Sequence, residues 1–160
     1  MLRPAIFARQ LPAVVQSAFV SNVSIREATP ADFDAVLALW HSIDRHTGLP
    51  DRPEYLQRFL DFSPGLFLVA ELDGRIVGSV IGGWDGWRAQ IARLATDPGV
   101  RRQRIAKKLV DEIEVRLHAR GARRIYALVD RRSAPAIPFW EAAGYAPNDD
   151  IVQYSRNLGE

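Results

Sequence analysis

No cysteine occurs anywhere in the 160 residues. Disulfides, thiolate metal sites and a cysteine acyl-enzyme are excluded together, so any acyl transfer must go directly to its acceptor or through another nucleophile. Histidine is nearly as scarce. His41, His46 and His118 share no metal-binding spacing, which points to surface or loop positions and to a protein working without a metal ion. Ser79 belongs to no G-x-S-x-G elbow, so a serine hydrolase is discounted. Apolar runs long enough to span a bilayer are also missing.

What remains is ample for one domain. The chain is 48% hydrophobic and 25% charged, enough to bury a core at this length. The formal net charge is only +2 and the sequence pI is near 9.3, but the charge is unevenly placed. From Arg93 to Arg132, twelve Lys and Arg face five Asp and Glu, a local +7 that leaves −5 for the rest. A polyanionic ligand has one obvious home there. Nucleic acid is the rival occupant, and the lack of interleaved aromatics along the basic helix makes it the weaker one.

Met1 to Asn22 carries Arg3 and Arg9, no acidic residue, and two apolar runs broken by Pro4 and Pro12. It reads as an extension before a single domain over residues 23–160. A secretory leader competes, but Pro12 interrupts the apolar run and Ser17-Ala18-Phe19 makes a poor cleavage site. The expected location is the cytoplasm, and packing of the extension against a partner subunit would give a homodimer.

Val23 to Glu27 alternates as a short strand, and Thr29-Pro30-Ala31-Asp32 starts a helix whose buried side is Phe33, Val36, Leu37 and Trp40. A polar stretch from His41 to Pro53 follows, then a second helix marked by Tyr55, Leu56, Phe59 and Leu60. Leu66 to Leu72, Arg75 to Trp84 and Trp87 to Thr96 read as three strands joined by Asp73-Gly74 and Asp85-Gly86, an antiparallel meander. Gly78, Gly82 and Gly83 in the middle strand mark bulges or a close ligand approach.

The meander delivers the chain to the turn Asp97-Pro98-Gly99 and then to a helix whose first turn carries Arg101, Arg102 and Arg104. Ile105, Leu109, Ile113 and Leu117 recur every four residues as its buried stripe. A helix start exposes unpaired N–H groups and a partial positive charge; with Lys107 and Lys108 beside it, the place suits a pyrophosphate. Gly121 ends the helix, and Arg124 to Val129 forms a strand parallel to the one ending at Thr96 through a right-handed crossover. Ligands of such sheets gather at the carboxyl ends of the parallel strands. Ala134 to Ala143 is a short helix capped by Gly144, and Ile151 to Arg156 a last strand closing a mixed α/β sheet.

Two of these stretches resemble the conserved blocks of the GNAT superfamily of N-acetyltransferases. Arg101-Arg102-Gln103-Arg104-Ile105-Ala106, after Leu94-Ala95-Thr96-Asp97-Pro98, is similar to the acyl-CoA motif R/Q-x-x-G-x-G/A. Arg101 and Ala106 match; Arg104 stands at the usual glycine, and Arg102 replaces another. Ser133 to Tyr145 is similar to N-x-x-A-x-x-F-Y-E-x-x-G-F, matching at Ala136, Phe139, Glu141 and Gly144. Ser133 replaces the asparagine, Trp140 the tyrosine and Tyr145 the last phenylalanine.

The resemblance, covering roughly Val23 to Leu158, implies a GNAT-like fold in which the meander leads to a β-α-β crossover with splayed parallel strands. It implies acetyl-CoA as cosubstrate, no metal, and direct transfer of an acetyl group to a primary amine of a small molecule or peptide. The implied CoA contacts are Leu94, Ala95, Thr96, Arg101, Arg102, Gln103, Arg104, Ile105, Ala106 and Lys107, with Ser133 and Trp140 beside the arm. Asp44, with Arg45 and His46, falls in the loop of the acceptor wall, and Trp84 and Trp87 form an apolar acceptor lip or cover the sheet edge. Backbone N–H groups near Ala95 and Thr96 would polarise the thioester carbonyl. The proton source is thinner, because many members use the second-block tyrosine and Trp140 has no acidic hydroxyl. Tyr145 or a water could substitute, or the thiolate could leave unaided. Asp85 is the candidate base, against its ordinary role in an Asp-Gly hairpin, and Leu128 stands where some peptide-acetylating members carry a glutamate. A catalytically weak acyl-CoA-binding domain is the alternative.

Overall fold

A computed structural model describes residues 23–43, 51–100 and 103–158. The N-terminal extension, the loop candidates Asp44, Arg45 and His46, and the motif residues Arg101 and Arg102 lie outside the described residues.

Alternation and turn chemistry build the sheet. β2 (Phe67–Leu72) and β3 (Arg75–Trp84) pair antiparallel around Asp73 and Gly74, both at positive φ, 51° and 74°, the conformation that a two-residue Asp-Gly hairpin requires. β4 (Ala89–Thr96) returns along β3, starting two residues later than the sequence suggests because Asp85 to Arg88 form a wider loop. β1 (Val23–Glu27) adds antiparallel to β2 and β5 (Ile125–Ala127) parallel to β4, for the order β1-β2-β3-β4-β5.

Both faces of this sheet are covered, and β2 shows it by being buried along nearly its whole length. Phe67 and Val69 meet α1 (Phe33–Ile43) and α2 (Pro53–Phe62) on one face. Leu68 and Ala70 join α3 (Ile105–Ala119) and α4 (Ala136–Ala142) on the other. The α3 stripe of Ile105, Leu109, Ile113 and Leu117 is fully buried with Val110, each side chain contributing about 1.5–3 kcal/mol by leaving water. Two glycines of β3 let that helix approach: a Cβ on Gly78 would stand 3.0 Å from Leu109, and one on Gly82 2.8 Å from Ile113. They mark contact with a helix, not with a ligand. A bulge does lie beside Gly78, where the β2–β3 register shifts.

Other elements also differ from expectation, α4 by starting at Ala136 rather than Ala134. α3 begins at Ile105, after a single 3-10 turn at Pro98–Val100, and Gln103 and Arg104 lie before the helix rather than in its first turn. Arg104 is its N-cap at φ 55°, a left-handed backbone that cannot propagate a helix. β5 has three residues instead of six. Residues 151–158 form no strand and lie exposed, Ile151, Val152, Tyr154 and Leu158 included; so short a β5 offers little edge for another strand to pair with. The far end of α3 closes as expected, with Gly121 at φ 104° and the Ala122 N–H reaching back to the Leu117 carbonyl at 3.1 Å.

Candidate active site at the parting of two strands

β4 and β5 pair only at Ala89–Ile125, Gln90–Tyr126 and Ile91–Ala127. β4 then continues to Thr96 with β3 alone beside it, so the parallel strands part toward their carboxyl ends. The Asp97 N–H donates to the Val77 carbonyl on β3 at 2.9 Å. Alternation along the strand then turns the Leu94 carbonyl and the Thr96 N–H away from β3, to the side that β5 has left, while Ala95 faces β3.

A bulge opens this parted segment. Ser79 lies across from Ala95 and Ile81 across from Ala92, so Arg93 and Leu94 together oppose Val80, with Arg93 at φ 51°. The extra residue resets the alternation. Leu94 packs against the α3-side core, and Ala95 joins the α1-side core. The Arg93 side chain reaches toward α1 and α2, its guanidinium 5.0 Å over the Trp40 ring and 2.6 Å from the Asp51 carboxylate. Beneath it the Trp40 indole N–H donates to the Ser79 hydroxyl at 2.8 Å, which donates to the Arg93 carbonyl at 3.1 Å. Sequence reasoning missed Ser79, Arg93 and Asp51 as site residues. The one available signal was a serine set among the apolar residues of β3.

Next to the gap, Thr96, Val100, Gln103, Arg104, Ile105, Ala106 and Lys107 form a cleft of about 310 Å³ with Phe139, Ala142 and Ala143 of α4. Six of these, Thr96, Gln103, Arg104, Ile105, Ala106 and Lys107, are among the CoA contacts that the resemblance implies, and the connection between β4 and α3 brings them together. The Lys108 N–H is bonded to the Arg104 carbonyl, which leaves the amides of Ile105, Ala106 and Lys107 ahead of the first intrahelical bond. The Gln103 Oε1 is buried without a hydrogen-bond partner, an acceptor that a donor on a bound ligand would satisfy. Open amides, a positive helix end and this orphaned acceptor fit a molecule carrying both phosphates and amide groups. Lys107 is less available than its charge suggests, since its ammonium is held by Asp111 at 2.7 Å. A larger notch of about 430 Å³, lined by Glu27, Gly65, Arg116 and Arg120, lies toward the other end of α3. Its arginines are occupied, Arg116 by Glu27 and Glu112, Arg120 by the Pro64 carbonyl.

The remaining candidates fall elsewhere. Trp140 is buried in the core, edge-on to Phe139 and Tyr145 at 5.4 and 4.8 Å between ring centres. It fills the interior, and Phe139 lines the cleft in its place. The Tyr145 hydroxyl donates to the Glu114 carboxylate at 2.6 Å, and burial, reinforced by that carboxylate, raises its pKa, which weighs against a proton donor. Ser133 closes the turn into α4, its carbonyl accepting from the Ala136 N–H at 3.0 Å, and is not part of the cleft lining.

Asp85, Trp84 and Trp87 sit at the paired end of β4, roughly 25 Å from Thr96 at about 3.3 Å per residue. The Asp85 carboxylate accepts from the Arg88 and Trp87 N–H groups at 2.6 and 2.9 Å, and these donors hold its pKa below the usual carboxylate value. It serves the loop, neither near the gap nor basic enough to lead there. Trp87 is exposed and Trp84 packs on the sheet, so neither is a lip at the gap. Among the described residues no group of three or more His, Asp or Glu could hold a metal ion, and no helix is long and apolar enough to cross a membrane.

A model of the acetyltransferase (GNAT) family matches residues 33–145. The chain is 37% identical over 130 residues to an acetyltransferase of Pectobacterium atrosepticum, covering 81% of this chain and 92% of that protein. Its fold is similar to the crystal structure of Ard1 from Thermoplasma volcanium, with a TM-score of 0.69 at 21% identity over 78% of this chain and 82% of the other. A Mycobacterium tuberculosis protein solved in complex with CoA aligns with a TM-score of 0.62 at 21% identity over 76% of this chain and 70% of that one. With most of its length matched to the family and to a relative covered nearly end to end, the chain belongs to the GNAT acetyltransferases.

Proposed function

We propose that the chain is an N-acetyltransferase moving an acetyl group from acetyl-CoA directly to a primary amine of a small molecule or peptide, in the cytoplasm. One observation supports this reading: the open amides at the start of α3 and the parted stretch of β4 are separated by only eight residues of the chain, those between Thr96 and Ile105. Bound acetyl-CoA supplies an activated acyl group and a thiolate leaving group. The amides opening α3 and the loop basic residues hold the diphosphate, the Gln103 carbonyl accepts from an amide of the arm, and the backbone of Leu94 and Thr96 receives the thioester end. N–H groups of this segment, preorganised toward a developing oxyanion, stabilise the transition state. With Trp140 in the core and Tyr145 bonded to Glu114, the thiolate leaves unaided or takes a proton from water.

Calorimetry tests the binding half. Acetyl-CoA should bind with a Kd in the micromolar range or somewhat weaker, with CoA competing. Arg101→Glu should weaken CoA at least about tenfold with little change in melting temperature, and unchanged affinity would move the phosphate site elsewhere. The absence of a tyrosine acid at Trp140 favours a second reading, a catalytically weak acyl-CoA-binding domain. Release of CoA on incubation of acetyl-CoA with a panel of amines, amino acids and peptides would eliminate it.

A further inference from the structure

We propose that Ser79 and Trp40 are positioning residues that aim the Leu94 N–H at the thioester carbonyl; this rests on the acetyl-CoA reading of the gap. Ser79 is fully buried, and the other buried polar residue among the described ones, Asp32, is less deep. Its hydroxyl is spent on a single backbone carbonyl, that of Arg93, and the hydroxyl itself is oriented by Trp40 from α1. The Arg93 carbonyl and the Leu94 N–H belong to one planar trans peptide and point in opposite directions. Drawing the carbonyl to the Ser79 hydroxyl, on the side of β3 and α1, therefore turns the N–H the opposite way, away from both, in a part of β4 that β5 no longer pairs with past Ile91.

The placement gives the contact a purpose beyond satisfying a serine. Arg93 has left-handed φ at the bulge, where the extra residue is left out of the ladder and its peptide must be held by other contacts. Trp40 restrains this residue twice, through Ser79 at the carbonyl and through its ring beneath the guanidinium. A donor aimed at a developing oxyanion must be fixed before reaction to be effective. The relay from α1 supplies that fixation from the acceptor side of the sheet.

The test uses the full chain and acetyl-CoA carrying carbon-13 at the acetyl carbonyl. In isotope-edited infrared spectra, the carbonyl stretch should fall in frequency on binding to the wild type. Ser79→Ala, and separately Trp40→Phe, which keeps a six-membered aromatic ring and deletes the indole N–H, should lose about half of that shift or more. Affinity for acetyl-CoA should stay within about threefold, and kcat should drop about tenfold with the KM for acetyl-CoA little changed. Ser79→Thr, which retains the hydroxyl, should keep the shift. A merely structural serine would lower the melting temperature and leave the frequency where it was, and that result overturns the proposal. Binding without any shift in the wild type overturns it as well while leaving the CoA site standing, whereas no binding removes both. Should Ser79→Ala fail to fold, Trp40→Phe alone decides.

Discussion

Arg104 takes φ 55° immediately before α3, a conformation costing a non-glycine residue about 1 kcal/mol. That is a physical reason for glycine at this place in the motif. Arg104→Gly should therefore hold or raise the melting temperature, and Arg104→Val, branched at Cβ, should lower it; thermal denaturation checks both. Tyr145 gives a second residue-scale prediction. Its hydroxyl ties α4 to Glu114 of α3, so Tyr145→Phe should cost about 1 kcal/mol of stability in denaturant unfolding. Single-turnover release of CoA should be unaffected, and a loss there would restore Tyr145 as an acid. Some of this was legible in the residues: Arg104 was visible as the odd member of its motif. Its backbone was not, because a side chain's identity says nothing of a φ imposed by the turn before it. Ser79, Trp40 and Arg93 were harder still, being partners 39 and 14 residues apart with no shared spacing.

The elements followed the sequence where a period was long. The α3 stripe, the hairpin at Asp73-Gly74 and the meander all formed from patterns that repeat several times. Short or terminal pieces did not follow, since β5 and residues 151–158 depend on what they can pair with rather than on their own alternation. The glycines of β3 show the same limit. Gly82 is needed because Ile113 would stand 2.8 Å from its Cβ, a fact of helix packing that reads in sequence as an ambiguous small residue. Gly82→Ala should push α3 off the sheet or force Ile113 from its rotamer, at about 1–3 kcal/mol. Pairing it with Ile113→Val should recover part of the loss, and an additive double mutant in urea unfolding would count against direct contact.

For the whole molecule, the joint between its first strand and first helix contributes to stability in acid. Arg26 of β1 binds Asp32 at 2.8 Å and Glu71 of β2 at 2.8 Å. The Arg26 guanidinium, aided by the Thr29 N–H and hydroxyl, lowers the Asp32 pKa from 3.8 to about 2. A carboxylate so depressed contributes its full stabilisation above the unfolded value, and that contribution drains as pH falls from about 4 toward 2. The amount is on the order of 2 kcal/mol. Asp32→Asn should be less stable at neutral pH and show a flatter decline over that window in unfolding titrations.

The parting of β4 from β5 has one more consequence. A notch lined by bare peptide groups would be sticky on most proteins, ready to capture any stray extended polypeptide as a surrogate strand. Here the mouth opens beside Arg104 and Lys107, so a cationic tail meets repulsion and a neutral one finds no reward at the entrance. On the acetyl-CoA reading proposed above, a slender visitor with negative charge at its outer end is the one this opening suits, so a stretch of sheet left without a neighbouring strand would serve as the source of selectivity.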